Sequence, residues 1–259
     1  MLRKNHLLEK LHSGQAVLGT WIMMPSPLSV DIIASTGVDF VIIDREHGPI
    51  SFETAQEMAM ACESRGVSPV MRVGDIERSF IQNALDVGMH GIQVPNVDTQ
   101  QNAIDVVKFA KYPPMGDRGF SPFTRAGNYS IHNSTILTQN ANQNTAVILN
   151  IEGKDAIRNF DEILMVENAD VYFVGLFDLS KALGMPGEVA HPKVIEALEE
   201  IITKTEAAGK YVGTIATSQE KMQLFLQMGV KYMVYLVDCE ILRSGYESIV
   251  NSFQQELKT

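Results

Sequence analysis

Two carboxylates, Glu152 and Asp178, stand directly after separate apolar runs, Ala146–Ile151 and Val171–Phe177. A third run, Val41-Ile42-Ile43, leads into Asp44-Arg45-Glu46-His47-Gly48. An unpaired charge in an apolar interior costs several kcal/mol, so buried strands that end in ionisable groups point to a cleft where those groups meet. Alternate side chains of a strand share a face, which sends Asn150 and Glu152 the same way. Two carboxylates with positions left for water and substrate suit a hard divalent cation, Mg2+ or Mn2+, with Co2+ or Zn2+ tolerated. The alternative at each position is an acid that only stabilises a helix N-terminus. Arg72 closes Val70-Met71-Arg72-Val73 and in that apolar setting needs either an anionic ligand or a neighbouring carboxylate. His47 follows Asp44 by three residues, close enough for the carboxylate to orient the imidazole as an Asp–His proton-transfer pair. His6, His12, His90, His132 and His191 have no such setting.

These residues need a scaffold that brings strand ends together. Eight β-branched or aromatic runs recur, at Val17–Met23, Phe40–Ile43, Pro69–Val73, Gly91–Pro95, Ala146–Ile151, Val171–Gly175, Tyr211–Ala216 and Tyr232–Asp238. Segments with apolar spacing near 3.6 separate them, including Phe52–Ser64, Phe80–Val87, Ala103–Phe109, Ile157–Val166, Val194–Ala207 and Met222–Met228. Gly37, Gly66, Gly88, Gly209 and Gly229 read as helix stops, and Ser51, Thr99 and Ser218 as N-caps. The alternation predicts an α/β fold, a (β/α)8 barrel with its site at the C-terminal strand ends. A doubly wound sheet is the rival, but Thr20-Trp21-Ile22 offers no Gly-rich first turn. Tyr112–Asn144 breaks the repeat. A connection of that length is a functional loop or a subunit contact, and Arg118, Phe120 and Arg125 within it could serve either the pocket or the oligomer.

Composition narrows the partners. The 259 residues are 45% apolar and 20% charged, which suits one domain spanning 1–259 with a large core. A formal net charge of -10 argues against nucleic acid or an anionic membrane, and an anionic ligand would need a local cation or metal. Cys62 and Cys239 form neither a metal motif nor a disulfide framework, which fits a reducing, cytoplasmic location. The charged start, Met1 to Lys10, lacks a leader's apolar core, and no stretch approaches the roughly 18 apolar residues of a membrane span. None of the eight runs offers an inward Lys, which excludes imine-forming aldol chemistry. No dinucleotide fingerprint, Walker loop or nucleophile elbow is present. The turns Ala216-Thr217-Ser218 and Val237-Asp238-Cys239 lack phosphate-cradling glycines, so no phosphorylated substrate tail is expected.

Gly19-Thr20-Trp21, Asp44-x-Glu46-His47, Arg72, Leu85-Asp86-Val87-Gly88, Tyr112-Pro113-Pro114-x-Gly116-x-Arg118-Gly119, Ile151-Glu152 and Gly175-x-x-Asp178-Leu179-Ser180 occur in one order over nearly the whole chain. In this the chain resembles the metal-dependent, class II pyruvate aldolases of the HpcH/HpaI family, relatives of the hydroxy-oxo-heptanedioate and keto-deoxy-sugar-acid aldolases. The resemblance implies a TIM barrel of the phosphoenolpyruvate/pyruvate-binding type. It also implies reversible cleavage of a 4-hydroxy-2-oxo acid to pyruvate and an aldehyde. Glu152 and Asp178 would ligate the metal, with Trp21, Arg72, Asn150, Phe177 and Asp178 around the substrate. Arg72 would stabilise the enolate, and His47, oriented by Asp44, would handle the 4-hydroxyl proton. Asp86 would support the histidine from near a subunit boundary. A trimer-based homohexamer is implied, often with an exchanged C-terminal helix, here about Ile241–Leu257, whose Ile241, Leu242, Tyr246, Ile249, Val250 and Phe253 suit packing on another surface.

Two departures from the family pattern stand out: Asn150 replaces a usual Gln, and Leu176-Phe177 replace Pro-Ala, so that Phe177 could narrow the pocket and shift the substrate range. Oxo-acid decarboxylation or acyl-CoA cleavage on the same site, or a non-catalytic oxo-acid-binding barrel, are the other readings.

Overall fold

The computed structural model, which describes residues 4–132 and 134–258, turns each of the eight apolar runs into a strand. Met1–Arg3, the first residues of the charged start, lie outside the described residues, as do Asn133 and Thr259. The strands are β1 (Val17–Ile22), β2 (Phe40–Asp44), β3 (Ser68–Arg72), β4 (Gly91–Val94), β5 (Ala146–Ile151), β6 (Val171–Val174), β7 (Tyr211–Ala216) and β8 (Tyr232–Val237). Each pairs in parallel with its sequence neighbours, and β8 closes on β1. The helices are α1 (His6–His12), α2 (Pro27–Ala34), α3 (Phe52–Ser64), α4 (Arg78–Asp86), α5 (Gln100–Ala110), α6 (Ser134–Asn144), α7 (Lys154–Arg158), α8 (Phe160–Leu164), α9 (Leu176–Ala182), α10 (Pro192–Ala207), α11 (Gln219–Gln227) and α12 (Asp238–Glu256). This is a (β/α)8 barrel.

Strand alternation divides the side chains between two cores. Phe40 and Ile42 of β2, Val70 of β3 and Ile148 of β5 fill the barrel interior, while Val41, Ile43, Met71, Val147 and Leu149 pack outward under the helices. Extending the inward register carries Asp44, Arg72, Asn150 and Glu152 to the barrel mouth. The five glycines read as helix stops all adopt positive φ, from +70° at Gly209 to +106° at Gly229. Ser51, Thr99 and Ser218 each cap a helix by accepting a backbone N–H three residues on.

Several boundaries differ from expectation. β1, β3, β4, β6 and β8 stop one residue before Met23, Val73, Pro95, Gly175 and Asp238. Asp238 instead opens α12, and its buried carboxylate accepts the backbone N–H groups of Met23 (3.0 Å) and Met24 (3.1 Å). The single helix expected over Ile157–Val166 is split into α7 and α8, because Asn159 leaves helical geometry (φ -96°, ψ 11°) and its amide donates to the Asp98 carbonyl at 2.8 Å. Helix α1 was not expected. It plugs the end of the barrel opposite the mouth: Leu7, Leu8 and Leu11 are buried in the interior cluster, and Asn5 donates to the carbonyls of His90 and Asn144, each at 2.8 Å.

Only Asp238 of α12 is buried. Ile241, Leu242, Tyr246, Ile249, Val250 and Phe253 are all exposed, and an apolar groove of about 790 Å³, lined by Leu18, Leu28, Ile32, Met222, Tyr235 and Ile241 among others, lies between α2 and α11.

Candidate active site

Two pockets meet at the barrel mouth and share Arg72, Glu152 and Asp178. The inner one, about 220 Å³, has apolar walls from Trp21, Phe173, Leu176 and Phe177, with Asn150 and Asp44 at its base. The outer one, about 530 Å³, is polar and takes in Glu46, His47, Asp98, Lys154 and Lys181.

Glu152 leaves the end of β5 and Asp178 projects from the first turn of α9, so strand and helix bring together residues from neighbouring βα units. A methyl group placed on Gly175 would lie 3.7 Å from Oε2 of Glu152 and 3.7 Å from Oδ2 of Asp178. Both oxygens therefore border one small volume that the absent side chain of Gly175 leaves clear. Hard carboxylate oxygens around such a gap fit a divalent cation with further positions for water or substrate. Among the described residues no cluster of three or more His, Cys, Asp or Glu is placed to hold a metal.

Glu152 is held by two donors: the backbone N–H of Asn96 reaches Oε1 (2.9 Å) and Asn150 Nδ2 reaches Oε2 (3.2 Å). Asn96 adopts φ +57°, a left-handed turn that Asn tolerates, and this aims its N–H at the carboxylate. Burial pushes the Glu152 carboxyl above its ordinary range; the Asn96 N–H opposes this, Glu46 and Asp178 add to it, and Arg72 opposes it.

Arg72 makes a two-pronged bond to Asp44, Nε to Oδ1 at 2.9 Å and Nη2 to Oδ2 at 2.5 Å, and its Nη1 lies 2.9 Å from Glu46 Oε2. Its guanidinium also stacks 4.2 Å over the Trp21 ring, which abuts Phe173 edge-on. Asp44 further accepts the backbone N–H groups of Glu46 (3.0 Å) and His47 (3.3 Å). The expected Asp44–His47 dyad is thereby corrected. The carboxylate is taken up by the Arg72 fork and by backbone donors, so it fixes the loop that carries His47 and does not orient the imidazole. The ring lies exposed at the outer pocket.

Asp86 is not brought to this site within one chain. It ends α4, at the side leading into the start of β4, and accepts from Arg118 Nη2 at 2.6 Å. Arg118 stacks over Tyr112, Phe120 meets the same ring edge-on, and Arg125 pairs with Glu63. None of Arg118, Phe120 and Arg125 lines either mouth pocket. Asn150, despite its shorter side chain, reaches Glu152 directly, and Phe177, 54% exposed, walls the inner pocket. Asn96, Gln93 and Lys181 are site or near-site residues that the motif reading did not single out.

The model of the HpcH/HpaI aldolase/citrate lyase family matches residues 17–244. The chain belongs to this family. It is 31% identical over 250 residues to a pyruvate aldolase of Rhizobium etli, covering 96% of this chain and 97% of that one. It is 30% identical to a 5-keto-4-deoxy-D-glucarate aldolase of Escherichia fergusonii, covering 97% of each. Among solved structures it superposes on the citrate synthase SbnG with a TM-score of 0.89 at 27% identity, covering 99% of this chain and all of that one. The proteins to which this chain is similar thus differ in named reaction.

Proposed function

We propose that this chain is a divalent-metal-dependent aldolase that reversibly cleaves a 4-hydroxy-2-oxo acid to pyruvate and an aldehyde. The observation that carries the reading is the convergence of Glu152 and Asp178 on the gap beside Gly175, with Arg72 shared between a small apolar pocket and a larger polar one. Family membership and the aldolase names of the relatives support it.

The inner pocket suits the three-carbon oxo acid, with Asn150 at its base and Trp21 and Phe177 along its sides. Glu152 and Asp178 would hold a divalent cation, which would supply Lewis acidity toward the negative charge that develops on the 2-oxo acid. Arg72, its fork fixed by Asp44, places a second positive charge beside the enolate and the carboxylate. The outer pocket takes the aldehyde half, where His47 accepts the 4-hydroxyl proton. The C3–C4 bond breaks as that proton leaves, its electron pair passes into the enolate, and a proton delivered to C3 completes pyruvate. The chain's negative charge repels acids at long range, so Arg72 and the outer Lys154 and Lys181 supply local attraction.

The exposed stripe of α12 and the uncovered groove between α2 and α11 support assembly in which α12 of one copy seats on the next, in a trimer-based hexamer. No described helix is long and apolar enough to cross a membrane, and the cysteine usage supports a cytoplasmic location.

The test is a panel of aldehydes incubated with pyruvate and Mg2+, Mn2+, Co2+ or Zn2+, read by product mass. A condensation product that disappears with EDTA, returns with metal and is indifferent to borohydride is expected. Oxaloacetate turnover without any condensation would indicate a decarboxylase instead, and pyruvate binding without turnover a non-catalytic barrel.

A further inference from the structure

The interior of this barrel is filled mainly by apolar side chains, yet two polar groups, Tyr232 and Gln93, meet there with no solvent exposure at all. Tyr232 Oη donates to Gln93 Oε1 at 3.3 Å, Gln93 Nε2 donates to Asn150 Oδ1 at 2.8 Å, and Asn150 Nδ2 donates to Glu152 Oε2 at 3.2 Å. Every donor points towards the mouth. The direction is imposed from the carboxylate end, because an ionised Glu152 can only accept. That turns the Asn150 NH2 towards it, leaves Asn150 Oδ1 for the Gln93 NH2, and leaves Gln93 Oε1 for the hydroxyl. Reversing the Asn150 amide would set oxygen against oxygen at Glu152 and NH2 against NH2 at Gln93.

The far end of the chain is anchored. Tyr232 stacks on Phe40 with ring centroids 4.2 Å apart and meets Phe173 edge-on. The ring fits because the facing residue is Gly213, where a Cβ would come within 2.7 Å of Tyr232 Cδ1. Burial holds the hydroxyl far above its ordinary pKa, so it keeps its proton. A buried polar network of this kind is costly unless every member is satisfied, and each link here has its partner.

We propose that Gln93 and Tyr232 are positioning residues: through Asn150 they fix the Glu152 carboxylate in the orientation that faces Asp178 across the gap at Gly175. The proposal rests on the reading of Glu152 and Asp178 as metal ligands, and it assigns metal affinity partly to residues in the barrel core. The experiment is Mn2+ titration by calorimetry on the full chain and its variants, with melting temperature recorded for each, beside a metal-free crystal structure of the Gln93→Leu variant. Gln93→Leu should weaken Mn2+ binding roughly 10–100-fold, the usual cost of losing a partner that orients a ligand. Tyr232→Phe, which keeps the ring, should weaken it by a smaller factor, and the double variant should be no weaker than Gln93→Leu alone, because the tyrosine acts only through the glutamine. In the metal-free Gln93→Leu structure the Asn150–Glu152 pair should have shifted together, so that Glu152 Oε2 no longer borders the gap at Gly175.

A role confined to packing would lower the melting temperatures and leave Mn2+ affinity unchanged, which overturns the proposal; so do losses that add in the double variant. Should Gln93→Leu fail to fold, wild-type Mn2+ affinity in Tyr232→Phe overturns it equally. If the wild-type chain itself binds no Mn2+, the metal reading fails, and a Glu152 carboxylate still bordering the gap at Gly175 in the Gln93→Leu crystal would separately refute the relay.

Discussion

Under the proposed function Arg72 serves stability and chemistry with the same atoms. Its fork neutralises Asp44, which is 1% exposed, so replacing it with Ala leaves a carboxylate buried without its cation and should cost about 3–5 kcal/mol, measured by chemical denaturation. Arg72→Lys keeps a charge but loses the planar fork, and should remain folded while lowering the cleavage rate roughly 10²–10³-fold. His47 is the opposite case, because it is exposed and its only described hydrogen bond runs through its backbone. His47→Ala should therefore melt like the wild type and cleave roughly 10²–10⁴-fold more slowly, and an unchanged rate would reject its role in proton transfer. The meeting of Glu152, Asp178 and Arg72 at one mouth was legible in the sequence, because an ionisable residue at the end of an apolar run is costly unless it reaches a cleft. Asn96 and Tyr232 were not, since the first acts through its backbone on a residue 56 positions away and the second reaches Gln93 across 139 positions. The Asp44–His47 pairing failed as an inference from spacing, because Arg72, 28 positions on, takes the carboxylate first.

Helix and strand boundaries were readable wherever a local rule decided them. Gly at the left-handed stop and Ser or Thr at the N-cap need only neighbouring backbone, and each such position holds. Helix α1 escaped notice because three leucines in a short, charged segment find their reason only in the barrel end they plug; burying each contributes about 1.5–3 kcal/mol. Asp238 is the rim's main tie between β8 and the loop after β1. Asp238→Ala should lower stability by about 1–3 kcal/mol, the cost of stranding its backbone donors, as read from the denaturation midpoint. The stripe on α12 was visible as apolar periodicity, and its exposure along the helix gives that pattern a consequence for assembly. Tyr246→Lys combined with Phe253→Lys should reduce the oligomer in light scattering after size exclusion, whereas an unchanged mass would show that α12 is not the contact.

At the scale of the whole molecule, a parallel barrel gathers the ends of strands distant in sequence at one mouth, and this chain places its paired acids, its arginine and its histidine there. The barrel alone decides no reaction, because proteins to which this chain is similar carry different names, an aldolase and a citrate synthase. At that mouth Glu152, held by Asn96 and Asn150, and Asp178 border one gap beside Gly175, where the proposed function puts a divalent cation. The most direct test is anomalous diffraction from crystals grown with Mn2+ and pyruvate. One strong peak between the side chains of Glu152 and Asp178, with pyruvate density in the inner pocket, is expected; Mn2+ bound elsewhere, with that gap left to water, would contradict the proposed metal site.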